Sequence, residues 1–423
     1  MPQPPHDPPV IVIGAGAAGL MAAIFAAQQG RRVLVLERTR DGGRKILISG
    51  GGRCNVLPSE LDPSRFVTDS SRHLLRRMLL AWPLAEQRAF FEGPLGIPLA
   101  LEAETGKLFP VSNRARDVRD RLVSHARNRG AELRFGAVVR DFRPAGGEWE
   151  VELDGETLTG SAVILATGGL SVPATGSDGI GLAVARRLGL LIHEPYPALT
   201  PLTTDPPVHA MLAGLSLTVT LSARVDGKRV ETTGGFLFTH RGYSGPAVLD
   251  LSHLAVRARL AGGPRQELLV RWTVVEEAEW ERRLQERSQR GVVTVLREEL
   301  PARLAEQLLA EIGVEPGRQL AQLTRTERRT LVDRLVRYPL PWTGDEGYRK
   351  AEVTGGGVAL GEVDPVTLES RRLPGLYLCG EILDAFGPIG GHNFAWAWGT
   401  GRAAGMGAGS RAGRAQGPAP LDA

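Results

Sequence analysis

The chain has 423 residues, of which 42% are hydrophobic and 23% are charged, so a soluble globular protein with two or three domains is expected. The formal net charge is +4, but only four of the 51 basic residues are lysines and the arginines are spread along the chain. This spread favours a solvated surface over a nucleic-acid stripe. No apolar run is long enough for a membrane span, so we expect a cytoplasmic protein without a membrane partner.

Cys54 and Cys379 are the only cysteines, and neither belongs to a Cys-x-x-Cys pair. This argues against a disulfide framework, a zinc knuckle and a thioredoxin-type dithiol, and no metal site is predicted. Redox chemistry, if the protein performs it, therefore has to come from a cofactor.

The first residues predict a strand, a tight turn and a helix. Val10–Ile13 is a short apolar run that meets Gly14, and an Ala-rich apolar segment follows until Gly30 ends it. Residues 32–37 then indicate a buried strand of a parallel sheet, apolar until it ends in an acid.

Gly14, Gly16 and Gly19 place the pattern G-x-G-x-x-G between this strand and this helix. The first glycine permits the tight turn, the second lets a pyrophosphate approach the backbone, and the third lets helix and strand pack closely, while the helix N-terminus attracts the anion. Glu37 follows eighteen residues after Gly19, where a carboxylate accepts hydrogen bonds from ribose hydroxyls. This order predicts dinucleotide binding, and the acid favours NAD or FAD over NADP.

The next segments alternate between helical and strand patterns. Residues 72–129 are mostly helical, with a break over the Gly- and Pro-containing stretch 93–110. Residues 131–142 and 148–158 predict strands, and residues 161–167 predict a buried strand that ends at Gly168.

Composition changes near Pro195, where a Pro- and Thr-rich crossing without a helical period begins. Residues 215–222 alternate with period two, residues 225–228 supply a hairpin turn, and a further strand follows. The stretch predicts an all-β insert curled into a small barrel or half-barrel. Residues 276–337 are charged and amphipathic and predict a helical subdomain, in which Thr324 and Glu327 form a capping box.

After residue 341 the sequence is again Gly-rich and strand-like. Leu376–Asp384 predicts a buried strand that runs into Gly380 and Glu381, and Gly387–Asn393 precedes an apolar, small-residue helix. If the cofactor is a flavin, free N–H groups at the start of that helix stabilise the negative charge that reduction places near N1 and the C2 carbonyl. Residues 411–423 are low in complexity and predict a disordered tail.

Four ordered blocks of the sequence are similar to those of a known family. They are GGRKILISGGGRCN, ATGGLSVPATGSDGIG, FLFTHRGYSGPAVLDLS and VTGGGVAL…GLYLCGEILDAFGPIGGHNFAWAWGTGRAAG. These blocks resemble those of bacterial FAD-dependent flavoproteins of the glutathione-reductase superfamily that include aminoacetone oxidase and the BaiN-type reductases of bile-acid dehydroxylation. The resemblance extends from Val10 to about Gly405.

The resemblance implies an α/β fold: a discontinuous Rossmann-like FAD-binding domain with an inserted β-barrel domain and a small helical subdomain. The expected boundaries are 1–194 and 352–410 for the FAD-binding domain, 195–274 and 340–351 for the β-barrel insert, 275–339 for the helical subdomain and 411–423 for the tail.

The resemblance and the glycine pattern together imply which residues contact FAD. The pyrophosphate is expected on the glycine turn, the ribose on Glu37, and the isoalloxazine between the Arg53-Cys54-Asn55 loop and the helix start at Gly390–Asn393. The full expected set is Gly14, Gly16, Ala17, Ala18, Gly19, Glu37, Arg38, Gly43, Arg44, Lys45, Ser49, Gly51, Arg53, Cys54, Asn55, Val138, Ala166, Thr167, Gly168, Gly380, Glu381, Asp384, Gly390, Gly391, His392 and Asn393.

The sequence departs from the family pattern beside the expected flavin. His392 and Asn393 stand where an aromatic residue often follows the glycines, and FAWAW follows where polar residues are frequent. The surface near the isoalloxazine is therefore expected to differ, and we do not transfer a particular substrate from the family.

Several further residues are candidates for chemistry. Lys45 is interpreted as a phosphate or flavin contact, with a solvated loop cation as the alternative. Cys54 is interpreted as a small packed residue rather than a reactive thiol. No catalytic residue is assigned, because flavin itself carries the redox step. Lys107, Tyr348 and Lys350 are candidates for substrate contact or for the surface, whereas His240, His392 and Tyr243 are interpreted as hydrogen-bonded scaffold.

No second G-x-G-x-x-G pattern preceded by a strand appears after residue 195, and residues 176–181 open a helix without the downstream acid. NADH or NADPH, if used, therefore docks transiently, and oxygen is the other redox partner considered. The expected function is an FAD-dependent oxidoreductase that transfers hydride between flavin N5 and a small organic substrate, with no stable nucleic-acid partner. The alternatives are an RNA-acting flavoprotein, suggested by the basic charge, and an FAD-binding sensor without turnover.

Overall fold

The chain folds as two units, described over residues 8–411 in the computed structural model. Unit 1 contains the chain up to Tyr196 and again from Val353, and unit 2 contains Pro197–Glu352. Apart from Arg411, the tail expected at 411–423 lies outside the described residues. Within residues 8–411, no helix combines the length and apolarity that crossing a membrane requires.

The centre of unit 1 is a five-stranded parallel sheet with the order β20-β10-β1-β2-β6. The chain runs outward from β1 through β2 to β6 on one side, then crosses to β10 and β20 on the other. Strand order therefore reverses between β1 and β10, which is the position where ligands bind in sheets of this kind. The strands are β1 (Val10–Ile13), β2 (Val33–Glu37), β6 (Ala131–Phe135), β10 (Ala162–Leu165) and β20 (Leu376–Leu378).

Seven helices belong to the described part of unit 1, and the first and last pack against each other. β-Carbons on Gly401 and Gly405 would stand 2.4 and 2.3 Å from the carbonyl oxygens of Ala18 and Ala22, so the two helices approach closely only because these residues are glycine. The helices are α1 (Ala17–Gln28), α2 (Arg44–Ile48), α3 (Arg72–Leu79), α4 (Leu84–Glu92), α5 (Ala115–Asn128), α6 (Ile180–Arg187) and α12 (His392–Ser410).

Three small sheets complete unit 1. The strands predicted over 131–142 and 148–158 are confirmed, although they are divided among four shorter strands. One sheet contains β3 (Leu57–Pro58), β4 (Leu99–Glu102) and β5 (Lys107–Pro110), the second contains β7 (Val139–Ala145), β8 (Glu148–Leu153) and β9 (Glu156–Gly160), and the third contains β11 (Ile192–Ala198) and β19 (Val353–Val358).

Unit 2 is built on a seven-stranded sheet with the order β17-β16-β13-β14-β15-β12-β18. The predicted hairpin is confirmed, since Val225 pairs with Lys228 across a two-residue turn. Aromatic side chains at Phe236, Phe238 and Trp272 are fully buried in its core. The strands are β12 (Leu202–Thr203), β13 (Ser216–Val225), β14 (Lys228–Thr239), β15 (Gly242–Ser244), β16 (Leu268–Arg271), β17 (Tyr338–Pro339) and β18 (Gly344–Asp345).

The helices of unit 2 confirm one prediction and correct another. The capping box is confirmed, because Thr324 and Glu327 exchange side-chain-to-backbone hydrogen bonds of 3.2 and 2.8 Å. The expectation of an all-β stretch over 195–274 is wrong, because a helix with proline in its first turn and buried Ala247, Leu251 and Ala255 at helical spacing lies within it. The helices are α7 (Pro246–Leu260), α8 (Glu277–Leu284), α9 (Val292–Leu296), α10 (Ala302–Glu311) and α11 (Arg325–Val336).

Candidate functional site

The turn between β1 and α1 contains three glycines with different surroundings. A β-carbon on Gly14, whose φ is +103°, would stand 2.6 Å from the carbonyl oxygen of Ala166, and one on Gly19 would stand 1.8 Å from the carbonyl oxygen of Gly14. A β-carbon on Gly16 would meet nothing within 4 Å. The protein's own packing therefore requires Gly14 and Gly19, whereas Gly16 borders open space that suits an approaching pyrophosphate.

The N-terminus of α1 opens at this turn, beside the position where strand order reverses. Gly16 caps the helix without a side chain, and its first turn contains no acidic residue. The amide groups of Ala17 and Ala18 therefore belong to a helix end that no side chain caps. Gly380, which follows β20, packs here too, since a β-carbon on it would stand 2.7 Å from that of Ala18. The arrangement fits an anion held by backbone N–H groups.

Glu37 ends β2 and is 8% exposed. Its Oε2 oxygen accepts a 2.8 Å hydrogen bond from the amide of Ala15, and its Oε1 oxygen accepts two of 2.7 Å from the amide and hydroxyl of Thr39. Because a carboxylate has about four acceptor positions, the group can also accept from a ribose hydroxyl. Val138 lies three residues after the end of β6. The amide of its neighbour Ala137 donates a 2.9 Å hydrogen bond to the backbone carbonyl of Glu37.

The segment after β2 turns back onto the glycine turn. The amide of Gly43 donates a 2.8 Å hydrogen bond to the carbonyl of Ala15. Arg44 forms a 3.0 Å ion pair with Asp41, and Arg38 forms an ion pair with Asp178. These two arginines are therefore each paired with a nearby carboxylate.

The GGGRCN stretch follows α2 and has few side chains of its own. Gly51 has a φ of +67°, and a β-carbon on it would meet nothing within 4 Å. Ser49 donates a 2.8 Å hydrogen bond to the carbonyl of Ile46. The guanidinium of Arg53 lies 3.9 Å from the ring centroid of Phe109. Arg53 also forms a 3.0 Å ion pair with Glu102, so this partly exposed arginine is held against β4 and β5.

Cys54 is fully buried and has a left-handed backbone conformation, with φ of 66°. Burial raises the pKa of its thiol to about 12, although a hydrogen bond with Ser49 opposes the shift. A thiol with so high a pKa is protonated at neutral pH and is a poor nucleophile.

Two buried oxygen atoms near the crevice have no hydrogen-bond partner among residues 8–411. They are Oδ1 of Asn55, next to the GGGRCN glycines, and Oγ1 of Thr167, two residues after β10. Buried polar groups are normally satisfied. Partners supplied by a bound cofactor would satisfy both, so these atoms, like the open space at Gly16, fit FAD. Gly168 follows with a φ of +72°.

Lys45, in α2, contacts the segment that follows β10 and the segment that follows β20. Its Nζ lies 2.6 Å from Oε2 of Glu381 and 2.5 Å from the hydroxyl of Ser171. Oε1 of Glu381 accepts hydrogen bonds from Ser171 (2.5 Å) and from the amide of Thr354 (3.0 Å). We call Lys45, Ser171, Thr354 and Glu381 the lysine cluster. Both carboxylate oxygens of Glu381 are therefore engaged by the protein, a role that the sequence did not indicate.

Asp384 is 2% exposed and holds the segment before α3. Its Oδ2 oxygen accepts hydrogen bonds from the hydroxyls of Thr68 and Ser70 and from the amides of Asp69 and Ser70, at 2.8 to 3.0 Å. Burial raises the pKa of Asp384, against these hydrogen bonds and the nearby charge of His193. These contacts give Asp384 a scaffold role.

The N-terminus of α12 lies beside β3 and β5. A β-carbon on Gly391 would stand 2.6 Å from the backbone of Leu57, and one on Gly390 would stand 3.4 Å from Cε of Lys107. Asn393 closes the preceding turn, with both its amide atoms hydrogen-bonded to the backbone of Gly387 at 2.8 and 2.9 Å. Gly391 caps the helix without a side chain, so this helix end too can face a negative charge.

His392, the first residue of α12, is 5% exposed. Burial, together with the charge of Arg65, lowers the pKa of its imidazole to about 4. The ring lies 6.1 Å from that of Phe66. His392 is therefore neutral at physiological pH and packs as an aromatic side chain.

Unit 2 contains a separate buried polar network that includes Tyr243. His209 lies within hydrogen-bond distance of the Tyr243 hydroxyl (2.7 Å), of Oε1 of Glu311 (3.0 Å) and of the Tyr338 hydroxyl (3.1 Å). Burial and the charge of Glu311 raise the pKa values of both tyrosines. His240 and Lys350 are exposed.

Ser171 and Thr354 were not among the predicted site residues, although both lie inside the four sequence blocks that resemble the family. A signal existed, because Ser171 lies two residues after Gly169 and Thr354 directly precedes three glycines. Within residues 8–411, no group of three or more His, Cys, Asp or Glu side chains could hold a metal ion.

Comparisons with known proteins match the chain over most of its length. The family model described as HI0933-like protein Rossmann domain matches residues 8–407. The ribosomal RNA dihydrouridine synthase of Escherichia coli (strain K12) is 33% identical over 396 residues, 92% of this chain and 94% of that protein. The 3-dehydro-bile acid delta(4,6)-reductase of Clostridium scindens is 31% identical over 411 residues, 95% of this chain and 98% of that protein. The 3-ketosteroid-delta4-(5alpha)-dehydrogenase structure from Rhodococcus jostii RHA1 is 15% identical, covers 97% of this chain and 98% of that chain, and has a TM-score of 0.48.

Proposed function

Because the chain belongs to the HI0933-like family of Rossmann flavoproteins and is an FAD-dependent oxidoreductase, we propose that it reduces carbon–carbon double bonds conjugated to a carbonyl group. One observation carries this proposal: two relatives that match more than nine-tenths of the chain have names that describe this same bond change. Dihydrouridine is uridine with its C5–C6 double bond saturated, and that bond is conjugated to the C4 carbonyl. A delta(4,6)-reductase of a 3-dehydro bile acid acts on ring double bonds conjugated to the 3-ketone.

The proposed roles of the binding residues follow from the contacts described above. The amide groups at the Gly16 end of α1 hold the pyrophosphate, and the Glu37 carboxylate accepts from the ribose. We assign Asn55 and Thr167 as further cofactor contacts, because each has a buried oxygen without a hydrogen-bond partner among residues 8–411. The N-terminus of α12, which no side chain caps, would stabilise negative charge on the pyrimidine side of the ring.

Reduction of such a double bond adds a hydride at one carbon and a proton at the other. FAD, when bound, supplies the hydride after accepting one from a nicotinamide. Lys107 is our candidate for the residue that holds the proton, because its side chain packs over Gly390 at the start of α12. We expect Lys107→Met to lower kcat by about 100-fold, a usual magnitude for general acid catalysis, without loss of FAD.

The nicotinamide is proposed to dock transiently. Unit 2 is an antiparallel sheet with helices and not a second parallel nucleotide-binding sheet. A nicotinamide therefore has to reach FAD by binding in turn with the substrate, which predicts ping-pong kinetics.

The proposal is tested by anaerobic turnover with NADH or NADPH and a panel of cyclic enones, dienones and matched saturated ketones. The expected result is oxidation of the nicotinamide only with the unsaturated members, with a product that has gained two hydrogens. Oxidation of amines with oxygen consumption, and no reaction with any enone, would refute the proposal. Absence of turnover with all of them would favour an FAD-binding sensor.

RNA is the second candidate substrate, favoured by the name of the Escherichia coli relative. Uridine offers the same conjugated bond as the enones, so the same residues would serve. The test is reduction of uridine in ribosomal RNA fragments by the protein with NADH or NADPH, detected as reverse-transcription stops or by mass. Recognition of RNA as a substrate predicts binding that survives moderate salt, whereas binding through counterion release alone weakens steeply as the salt concentration rises.

A further inference from the structure

The lysine cluster lies at the carboxyl edge of the parallel sheet. Its members follow β2, β10 and β20, or begin β19, and ligands bind at this edge in open parallel sheets. We propose that Lys45 sets the reduction potential of the bound FAD, and that Glu381 limits its effect. This inference depends on FAD binding and not on which substrate the protein reduces.

The hydrogen bonds of the cluster hold Lys45 in one place. Ser171 is fully buried and Lys45 and Glu381 are 26% and 18% exposed. Ser171 donates to Glu381 and accepts from Lys45, and Oγ1 of Thr354 accepts from the amides of Leu170 and Ser171 at 2.7 and 3.1 Å. The ammonium group is therefore anchored on two sides.

One proton of the ammonium group remains available. Lys45 has three N–H donors, and two of them are directed to Glu381 and Ser171. Among residues 8–411, no other acceptor lies within hydrogen-bond distance of Nζ. The third donor is free for a ligand in the crevice.

The charges of the pair act on FAD in opposite directions. Reduction adds negative charge to the isoalloxazine, and a fixed cation in a partly buried site stabilises that charge more than it would in water. Lys45 therefore favours the reduced form, which suits a protein that takes hydride from a nicotinamide. Glu381 is anionic, so it opposes this effect while it positions the lysine.

The test is the midpoint potential of the bound FAD, measured anaerobically by equilibration with reference dyes in the presence of saturating FAD. Lys45→Met is expected to lower the potential, and Glu381→Gln is expected to raise it. Lys45→Arg keeps the charge and is expected to remain near the wild-type value. Lys228→Met, which removes an exposed cation from the hairpin of unit 2, is the matched control and is expected to leave the potential unchanged.

Opposite shifts distinguish an electrostatic role from a structural one. If Lys45→Met and Glu381→Gln shift the potential in the same direction, or neither shifts it, the inference is wrong, because a loosened loop would affect both variants alike. If Lys45→Met cannot retain FAD, the Glu381→Gln variant decides, and an unchanged or lower potential overturns the inference. The measurement uses no substrate, so its outcome is independent of the enone test.

Discussion

The Oε2 oxygen of Glu37 accepts a 2.8 Å hydrogen bond from the backbone amide of Ala15, in the middle of the glycine turn. The acid that ends β2 thus shapes the turn that follows β1, because the two strands are neighbours in the sheet. Loss of this carboxylate removes a proposed ribose contact and also a support of the pyrophosphate turn.

Substitution of Glu37 is therefore expected to weaken FAD binding, and to weaken it more when the side chain is removed than when only its charge is lost. Glu37→Gln keeps the size of the side chain but loses the charge. We expect an affinity loss of about 10- to 100-fold, since hydrogen bonds to charged groups contribute about 1.5–3 kcal/mol. Glu37→Ala loses every acceptor and is expected to purify largely colourless. The measurement is the ratio of flavin to protein absorbance, followed by FAD titration. A flavin content equal to wild type in Glu37→Ala would show that the ribose assignment is wrong.

Gly16 and Gly19 offer a matched pair of substitutions. Gly16→Ala is expected to keep the wild-type melting temperature of the apoprotein and to lose FAD affinity, because its β-carbon enters only the open space proposed for the pyrophosphate. Gly19→Ala is expected to destabilise the fold itself by several kcal/mol, because its β-carbon would collide with the carbonyl oxygen of Gly14. Thermal unfolding and FAD titration separate the two effects. Normal FAD affinity in Gly16→Ala would contradict the pyrophosphate assignment.

The neutral imidazole of His392 predicts a pH dependence of stability. Its pKa falls from 6.5 to about 4 because the ring is buried. Between these values the unfolded chain binds a proton that the native protein does not, so stability rises with pH over this window and is lost as the pH falls through it. Phe at position 392 retains an aromatic ring beside Phe66 and cannot titrate. The stability difference between His392→Phe and wild type should therefore change by ~3 kcal/mol at most between pH 7 and pH 4, and a constant difference would contradict a buried neutral histidine.

The network of unit 2 predicts a second, separate pH effect. Burial raises the pKa of Glu311, but hydrogen bonds with His209, Gln307 and Tyr338 outweigh it, so the net pKa is lowered. A lowered carboxyl pKa contributes stability that is complete above the ordinary value of 4.5 and is lost as the pH falls through the folded-state pKa. Glu311→Gln is expected to cost about 2 kcal/mol at pH 7 and to unfold with a weaker dependence on acid. Chemical denaturation at pH 3 to 7 measures the free energy of unfolding at each pH. If this free energy falls as steeply with acid in the variant as in wild type, the network does not depend on the charge of Glu311.

The sequence predicted the parts of this protein that local pattern determines. Apolar runs that end in glycine identified β1 and β10, period two identified the β13–β14 hairpin, and the capping box identified the start of α11. The helix α7 was missed because its block was interpreted through the strands before it, although Pro246 and the apolar spacing after it indicate a helix.

The lysine cluster was missed for a different reason. Lys45 and Ser171 are 126 residues apart in the sequence, and Ser171 and Thr354 are 183 residues apart. Only the order of strands in the sheet brings them together. Glycine spacing can indicate where a phosphate approaches, but it does not show which acid pairs with which cation. The unpaired oxygens of Asn55 and Thr167 likewise become visible only once their surroundings are known.

Single-turnover reoxidation of the reduced protein tests the central claim most directly. The protein with bound FAD is photoreduced without nicotinamide and mixed anaerobically with a cyclic enone, with a uridine-containing RNA fragment, or with the matched saturated ketone. We predict that the yellow absorbance returns with the enone or the RNA, in step with one equivalent of saturated product, and not with the saturated ketone. A flavin that stays bleached with every conjugated acceptor and is reoxidised only when oxygen is admitted would contradict the account.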